Sequence, residues 1–584
     1  MRFNWRLLIF VLIAIGMMGS STWYAYHVAV KPALQDYIGD EVWYVPSSRN
    51  VLHRLGMDPH YVHDGYEGVN VIFKDETAKL KYQYIVNEAL SEYGGNLSAT
   101  VSYQKFPGLY VEVKESHLSD FLAYLAKYIP DGEYYTVTGY KYPDKDNIQN
   151  YLNLEHPFLG KDFIMAGMLL FGDRPIGWRL PGIILFAILQ LLVLLAAYRV
   201  SRSYLASLIA LFFVAVDPTL QATAVAAMLD IYVAFFVALF LLLAVYGRDM
   251  WTGVSIGLSS ATKLSGAFGY PVFFIQVFND LRSAGRWVLG RLLIILLLLA
   301  GDVVAYAAYY SGFKGPDYYR ALSILVLIAL AEFSLRCRDR LRELVISISA
   351  LLVLPIVGFL LPEVPAVKVV GFKDWLMNFL GSFKWHLSYK GPNPWTAPFW
   401  EWFYNGKSFH FHFNPDVVAS TDPALLLFMI AAIFAIPYVW RRKGAVLVPF
   451  GIFWSTVALF ALQYALGGKT QFSFYATALV PEAAVVTGVV ANEIVKWEAF
   501  TESLLDYLYW LGKILHVGRF VRYVEDRRKP EEEEVAQEPF PFPIPSVYVN
   551  LDGLPKRREI RVKRREPRPG GLPRKDESSG EEVV

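Results

Sequence analysis

A succession of apolar segments constrains this chain more than any other feature. Runs at about 178–198, 204–217, 229–246, 251–265, 266–280, 288–310, 319–335, 343–362, 423–440, 445–466 and 473–493 approach the ~20 residues that cross a bilayer, and only lipid accommodates so many. With the first apolar run, Leu7 to Gly19, they predict about 12 spans. Charged residues make up 18% of the chain, below the fraction of about a quarter usual in soluble domains, which agrees with a polytopic helical membrane protein. The stretch from Trp251 to Phe278, interrupted by Pro271, reads as two bent crossings or one re-entrant pair.

Basic residues orient the spans. Arg199, Arg202, Arg248, Arg282, Arg286, Arg291, the Arg336 to Arg342 cluster and Arg441-Arg442-Lys443 all fall on one side in this count, and that side is cytoplasmic by the positive-inside rule. The long loops 31–161 and 363–421 then face outward together. The basic Arg2 and Arg6 before the first run fit a signal peptide, but no small-x-small site follows, and Trp23, Tyr24 and Tyr26 form an interfacial belt, so an uncleaved helix is expected. A net charge of +2 gives no reason to expect a nucleic-acid partner. A single cysteine, Cys337, excludes an intrachain disulfide.

The chain divides into a first helix and outer-loop start (1–65), a polar insertion (66–144), a membrane core (145–494) and a C-terminal stretch (495–584). In the insertion, Gly68–Phe73 reads as a strand, Thr77–Tyr93 as an amphipathic helix, and Leu97–Tyr103 with Leu109–Val113 as a hairpin. Ser116 is placed to cap a second helix ending at Tyr128, and Tyr134–Tyr140 alternates as a last strand. The order is βαββαβ, the ferredoxin-like split arrangement of a small α+β domain. Trp497–Val524 reads as an amphipathic helix on the cytoplasmic membrane surface. Beyond it, Glu531–Glu534, a Pro-rich run and the Lys/Arg clusters at 556–565 read as a disordered tail.

Chemistry is concentrated at the outer boundary. Asp40 and Glu41 follow the first helix, where a fixed carboxylate can take a proton from a hydroxyl. A second constellation runs Glu155-His156-Pro157-Phe158-Leu159-Gly160-Lys161, then Phe171-Gly172-Asp173 and Gly177-Trp178-Arg179. Together with Asp217-Pro218, Met228-Leu229-Asp230, the segment Gly257 to Gly266 around Lys263, and Lys390 to Pro398, these motifs resemble, in order, the protein O-mannosyltransferases of the GT-C superfamily. The resemblance covers most of the membrane part. It leaves out the insertion and the tail, and the family's luminal β-trefoil domain is absent.

The resemblance implies a GT-C fold and an inverting transfer of mannose from a polyprenyl carrier, dolichyl phosphate mannose, to Ser or Thr of a polypeptide, with no cofactor or metal required. Asp40 matches the family's catalytic Asp and would be the base; Glu41 would position the acceptor. A phosphate leaving group needs cations and donors rather than a general acid, so Lys161, Lys263 and Lys469, with Asp230 for the sugar, become the donor-site candidates. Lys263 admits two readings, a lipid-phosphate ligand or a lysine reaching toward the interface. Glu155, His156, His386 and Trp395 are candidates for the acceptor side. Three departures stand out: Val225 where the family has Arg, Lys469 where it has Arg, and Tyr475 where it has His. His386, His410 and His412 with Glu401 match no strong ligand spacing, so no metal site is expected. A GT-C enzyme moving another sugar, of aminoarabinose type, to a lipid is the nearest alternative. A secondary transporter is the alternative of another class, though no inverted repeat is visible. The expected location is an integral membrane protein with its active site outside the cytoplasm, in the plasma membrane if the source is prokaryotic. Nothing in the residues indicates an oligomeric state.

Overall fold

The computed structural model of the protein describes residues 4–310, 318–388, 393–494, 498–518 and 521. Helix α1 (Trp5–Ala29) is capped by Asn4, whose side chain accepts from the Leu7 amide at 3.1 Å. Helix α2 (Glu41–Arg54) follows, then the insertion: strands β1 (Val62–His63) and β2 (Tyr66–Phe73), helix α3 (Glu76–Glu92), strands β3 (Val101–Ser102) and β4 (Gly108–Lys114), helix α4 (Leu118–Tyr128) and strand β5 (Tyr134–Thr138).

The sheet is antiparallel, with β2 paired to β4 on one side and to β1 and β5 on the other, and with β3 at the edge beside β4. Alternation along β2 divides its residues between two cores. Val69, Val71 and Phe73 pack with α3 and α4 residues such as Val86 and Phe121, while Ile72 joins Tyr103, Tyr110, Tyr142 and Ile148 on the opposite face. The strand expected at Leu97–Tyr103 is cut to two residues because Leu97–Ala99 turns as a 3-10 helix. Ser116 caps nothing; it lies inside a second 3-10 turn, Glu115–His117, and α4 begins after it.

The membrane part continues with α5 (Leu159–Phe171), α6 (Pro175–Ser201), α7 (Tyr204–Val216), α8 (Pro218–Val225), α9 (Leu229–Val245) and α10 (Asp249–Thr262). Ser21 of α1 donates to Gln190 of α6 at 2.7 Å, a buried polar clamp of the kind that joins helices in lipid. Between α7 and α8 the chain bends by 51°. The cause is local: Asp217 accepts from the Leu220 amide at 2.8 Å and Pro218 opens the new helix, so one segment ends and a capped one starts.

Helix α11 (Tyr270–Tyr310) packs against α12 (Tyr318–Ile348), and a π-turn at Ser349–Val353 leads to α13 (Leu354–Leu360) and α14 (Val364–Val370). The segments read as 266–280 and 288–310 follow one another along α11 without a loop, as a short apolar part, Leu264–Phe278, and a span-length part, Leu281–Tyr306, while 319–335 and 343–362 fall in one helical stretch, Tyr319–Val370. The Arg-rich stretches taken for loops are helical, since Arg is a good helix former and finds partners across the pair. Arg291 meets Glu332 at 2.9 Å, and Trp287 stacks on Phe333. Among the described residues seven helices are long and apolar enough to cross a membrane, or eight if the bent pair counts as one span, fewer than the count of about 12.

The second outer loop carries α15 (Phe372–Ser388) and a hairpin of β6 (Phe409–Phe413) and β7 (Asp416–Ala419). Helices α16 (Pro423–Arg442), α17 (Leu447–Ala465), α18 (Val480–Glu493) and α19 (Glu498–Ile514) complete the described chain. Pro437 interrupts α16, where it cannot bond the Ile433 carbonyl. Helix α19 makes good the break: the Tyr507 hydroxyl donates to that carbonyl at 2.6 Å, and Ser503 Oγ accepts the Tyr438 amide at 3.1 Å. Arg441 ties the same helices through Glu502 and Asp506.

Candidate active site

Asp40 stands at the N-terminus of α2, but its side chain accepts no capping hydrogen bond. Gly39 before it has φ +53°, and a Cβ there would lie 2.8 Å from the Phe411 ring. Only glycine lets the β6–β7 hairpin close this tightly, with the Gly39 amide donating to the Phe411 carbonyl at 3.0 Å. The outer-loop hairpin therefore holds the turn that presents Asp40.

Glu41 points the other way. It is fully buried and takes both Nε and Nη2 of Arg179 at 2.7 Å, together with the Ile38 amide at 2.9 Å and the Ala227 amide at 2.8 Å. Arg179 spends its remaining donors on the carbonyls of Ala29, Leu34 and Asp36. The pair staples the segment after α1 to α6 and to the α8–α9 connection. Glu41 thus faces the protein interior, where all of its acceptor positions are taken, away from the acceptor contact expected of it.

A second buried pair supports α2. Arg49 reaches Asp173 at 2.5 and 3.1 Å, the Tyr140 amide donates to the same carboxylate at 3.0 Å, and the guanidinium lies 4.8 Å above the Tyr142 ring. Asn50 accepts from the Tyr142 hydroxyl at 2.6 Å and donates to the Ile148 and Tyr151 carbonyls. Through these contacts the insertion is locked onto α2.

Across from Asp40, Lys263 ends α10 in extended backbone and donates to Asp230 in the first turn of α9, at 3.0 and 3.3 Å. Its ammonium lies 3.8 Å from the centre of the Tyr475 ring and 5.3 Å from that of Phe474. Burial pushes the Asp40 carboxyl up to about 6; the Lys263 ammonium pulls it down, Asp230 adds to the rise, and the Tyr44 hydroxyl opposes it. These causes place Asp40, Lys263, Asp230 and Tyr44 in one electrostatic site. Tyr475, at the position where the resembling family has His, closes it as a ring under the ammonium.

The loop 151–156 forms a neighbouring wall. Tyr151 sits edge-on to Trp43 and donates to Glu155 Oε1, which also receives Asn153 Nδ2 at 3.0 Å. His156 lies edge-on to Tyr44, with ring centres 5.9 Å apart. Lys161 is buried beneath this loop, donating to the Asn153 and His156 carbonyls and to Asn153 Oδ1, over the Phe158 ring. Burial lowers its pKa. The structure gives Lys161 a different role from the donor-phosphate contact expected of it: its ammonium shapes the loop.

The other candidates lie farther out. Lys469 is exposed, 5.9 Å over the Tyr464 ring, and Trp395 packs on Phe409, His410 and Phe413 at the outer hairpin. His386 falls on α15, but its side chain lies outside the described residues. No three His, Cys, Asp or Glu side chains are grouped as metal ligands among the described residues. The sequence analysis passed over Arg49, Asn50 and Glu363. Glu363 accepts the Phe158 amide at 2.9 Å and the Trp375 indole at 2.8 Å, joining the loop to α15. The available signal was an isolated acid amid apolar residues at the end of a span.

Long apolar helices, together with the sequence matches, make the chain an integral membrane protein homologous to glycosyltransferases. The homologues are polyprenol-phosphate-mannose–protein mannosyltransferases. That of Corynebacterium glutamicum is 24% identical over 402 residues, 58% of this chain and 70% of that protein. The enzyme of the same name from Mycobacterium tuberculosis is 31% identical over 149 residues, 20% of this chain and 28% of that protein. The Mycolicibacterium smegmatis enzyme is 29% identical over 177 residues, 25% and 34% of the two chains. No family model matches. Among solved structures, the apo oligosaccharyltransferase of Archaeoglobus fulgidus aligns over 87% of this chain and 55% of its own, with 14% identity and a TM-score of 0.35.

Proposed function

We propose that the chain is an inverting GT-C mannosyltransferase that moves mannose from a polyprenyl phosphate to Ser or Thr hydroxyls of polypeptides at the extracytoplasmic face, in the plasma membrane of a prokaryotic source. The homologues' shared name supports the donor and the polypeptide acceptor. The observation that carries the mechanism is the half-buried Asp40 carboxylate set against the Lys263–Asp230 pair.

Asp40 takes the proton from the acceptor hydroxyl as its oxygen attacks C1 of mannose. The bond from C1 to the phosphate oxygen breaks, and the lipid phosphate leaves with the electron pair. Lys263, whose only acidic partner among the described residues is Asp230, turns its ammonium to the phosphate charge. Asp230, released, accepts from a sugar hydroxyl. Val225 stands where the resembling family places a cation, so Lys263 bears more of the phosphate charge here. Tyr475 holds the ammonium during the exchange. The insertion, fixed to α2 through Arg49 and Asn50, guides the acceptor as a rigid wall.

The test is transfer of label from polyprenyl phosphate mannose to a Ser/Thr-rich peptide by purified protein, in chelator, with Asp40→Asn alongside. The wild type labels the peptide, and Asp40→Asn lowers turnover by about 10²–10⁴-fold while keeping donor binding. Full turnover by the variant would remove Asp40 from the mechanism. Labelling of lipid in place of peptide would move the acceptor to the lipid class.

A further inference from the structure

Beside the loop 151–156 lies a cavity of about 440 Å³ for which the mechanism has no use, lined by Glu155, Met377, Asn378, Gly381 and Ser382. Its size falls within the range of small-ligand pockets. Both walls are fixed. On the loop side, the Tyr151 hydroxyl and the Asn153 amide converge on Oε1 of Glu155, and among the described residues Oε2 accepts no hydrogen bond. On the other side, Glu363 bonds the Trp375 indole of α15 and the Phe158 amide together, so a single carboxylate holds the helix against the loop.

Gly381 faces open space, with nothing within 4 Å of where a Cβ would stand. Glycine weakens a helix interior, and no close neighbour demands it here, so its effect is to keep the cavity clear. Asn378, three residues before it, and Ser382, one residue after it, share the lining. Tyr151 connects this place to the chemistry: its ring meets Trp43, and its hydroxyl lies within the field of Asp40.

A carboxylate held by one oxygen and open at the other, flanked by an amide and a hydroxyl, suits a cation with several donors. The Glu155 carboxylate repels a phosphate. We infer that this cavity is an acceptor subsite, in which Glu155 pairs with a Lys or Arg side chain close in sequence to the hydroxyl that is modified. The inference rests on the polypeptide acceptor proposed above and adds the residue type that the enzyme selects beside it.

Binding of two fluorescent peptides to the full-length protein tests it, one with Lys flanking a Ser/Thr pair and one with Gln in the same positions, each read by anisotropy and then by mannose transfer. The Lys peptide should bind about tenfold more tightly. Glu155→Gln, which keeps an acceptor for Tyr151, should bring that ratio close to one. Gly381→Leu should weaken both peptides and leave the affinity for polyprenyl phosphate unchanged. Equal binding of the two peptides by the wild type, or the same ratio in Glu155→Gln, would overturn the inference. So would Gly381→Leu weakening polyprenyl phosphate alone, since the cavity would then hold the lipid chain. Because binding is read separately, a Lys preference without any transfer would sink the mannosyltransferase reading and leave the cation subsite standing.

Discussion

Two buried ion pairs flank Asp40, one through the chain and the other through space, and they are built for different ends. In Arg179–Glu41 every donor and acceptor is matched, with two amides and three carbonyls completing the shell. Lys263–Asp230 is joined by one ammonium and one carboxylate against aromatic faces, which offer the cation a surface but no competing acceptor. A matched shell fixes geometry; an incomplete one can trade partners. The first pair therefore belongs to architecture, and the proposed mechanism assigns the second to the charge that a leaving phosphate develops.

The difference is most easily broken at Arg179. Arg179→Met leaves Glu41 buried without its cation and should destabilise the protein by about 3–5 kcal/mol, read as lost monodisperse protein in detergent or a lowered Tm. Deleting residues 66–143 should have a comparable effect, because it removes Tyr140 and Tyr142 from the Arg49–Asp173 and Asn50 shell; a folded, monodisperse deletion variant would make the insertion a removable module instead. At the second pair, Lys263→Met should spare folding far more than Arg179→Met does and weaken donor binding about 10-fold or more, measured by titration with polyprenyl phosphate.

The smallest effect sharpens the comparison through pH. Asp40 acts deprotonated and its carboxyl sits at about 6, so kcat/KM should fall as pH drops through that value. Asp230 raises the Asp40 pKa and Lys263 lowers it, so Asp230→Asn should shift the acid limb to lower pH and Lys263→Met to higher pH. Identical acid limbs in all three proteins would separate Asp40 from the pair.

Much of this site was legible before any coordinates. Asp40, Glu41 and Asp230 stand out only through the motifs that resemble the mannosyltransferases, and Lys263 also because an ionisable group within an apolar stretch is costly. Their division of labour was not legible. Asp40 and Glu41 are neighbours in sequence, but successive residues at a helix start point in different directions, and Glu41 meets an arginine 138 residues away. Lys161 looked like Lys263, a lone cation near the outer boundary, yet the fold spends its donors on carbonyls of its own loop. The α11–α12 pair erred in the opposite sense, because arginines that mark a loop in hydropathy remain helical when partners lie across from them.

The sequence by itself determined that this chain lives in a bilayer, that its basic clusters fall on one side of the spans, and that an acidic pair follows the first helix. Those properties are local, set by the cost of burying each residue in lipid. The tertiary structure alone decided which carboxylate is sealed and which stays half-buried, and which lysine pairs with a carboxylate and which with carbonyls of its own loop. Those outcomes depend on contacts between residues far apart in the chain, where pairing and desolvation are settled only once the helices have packed.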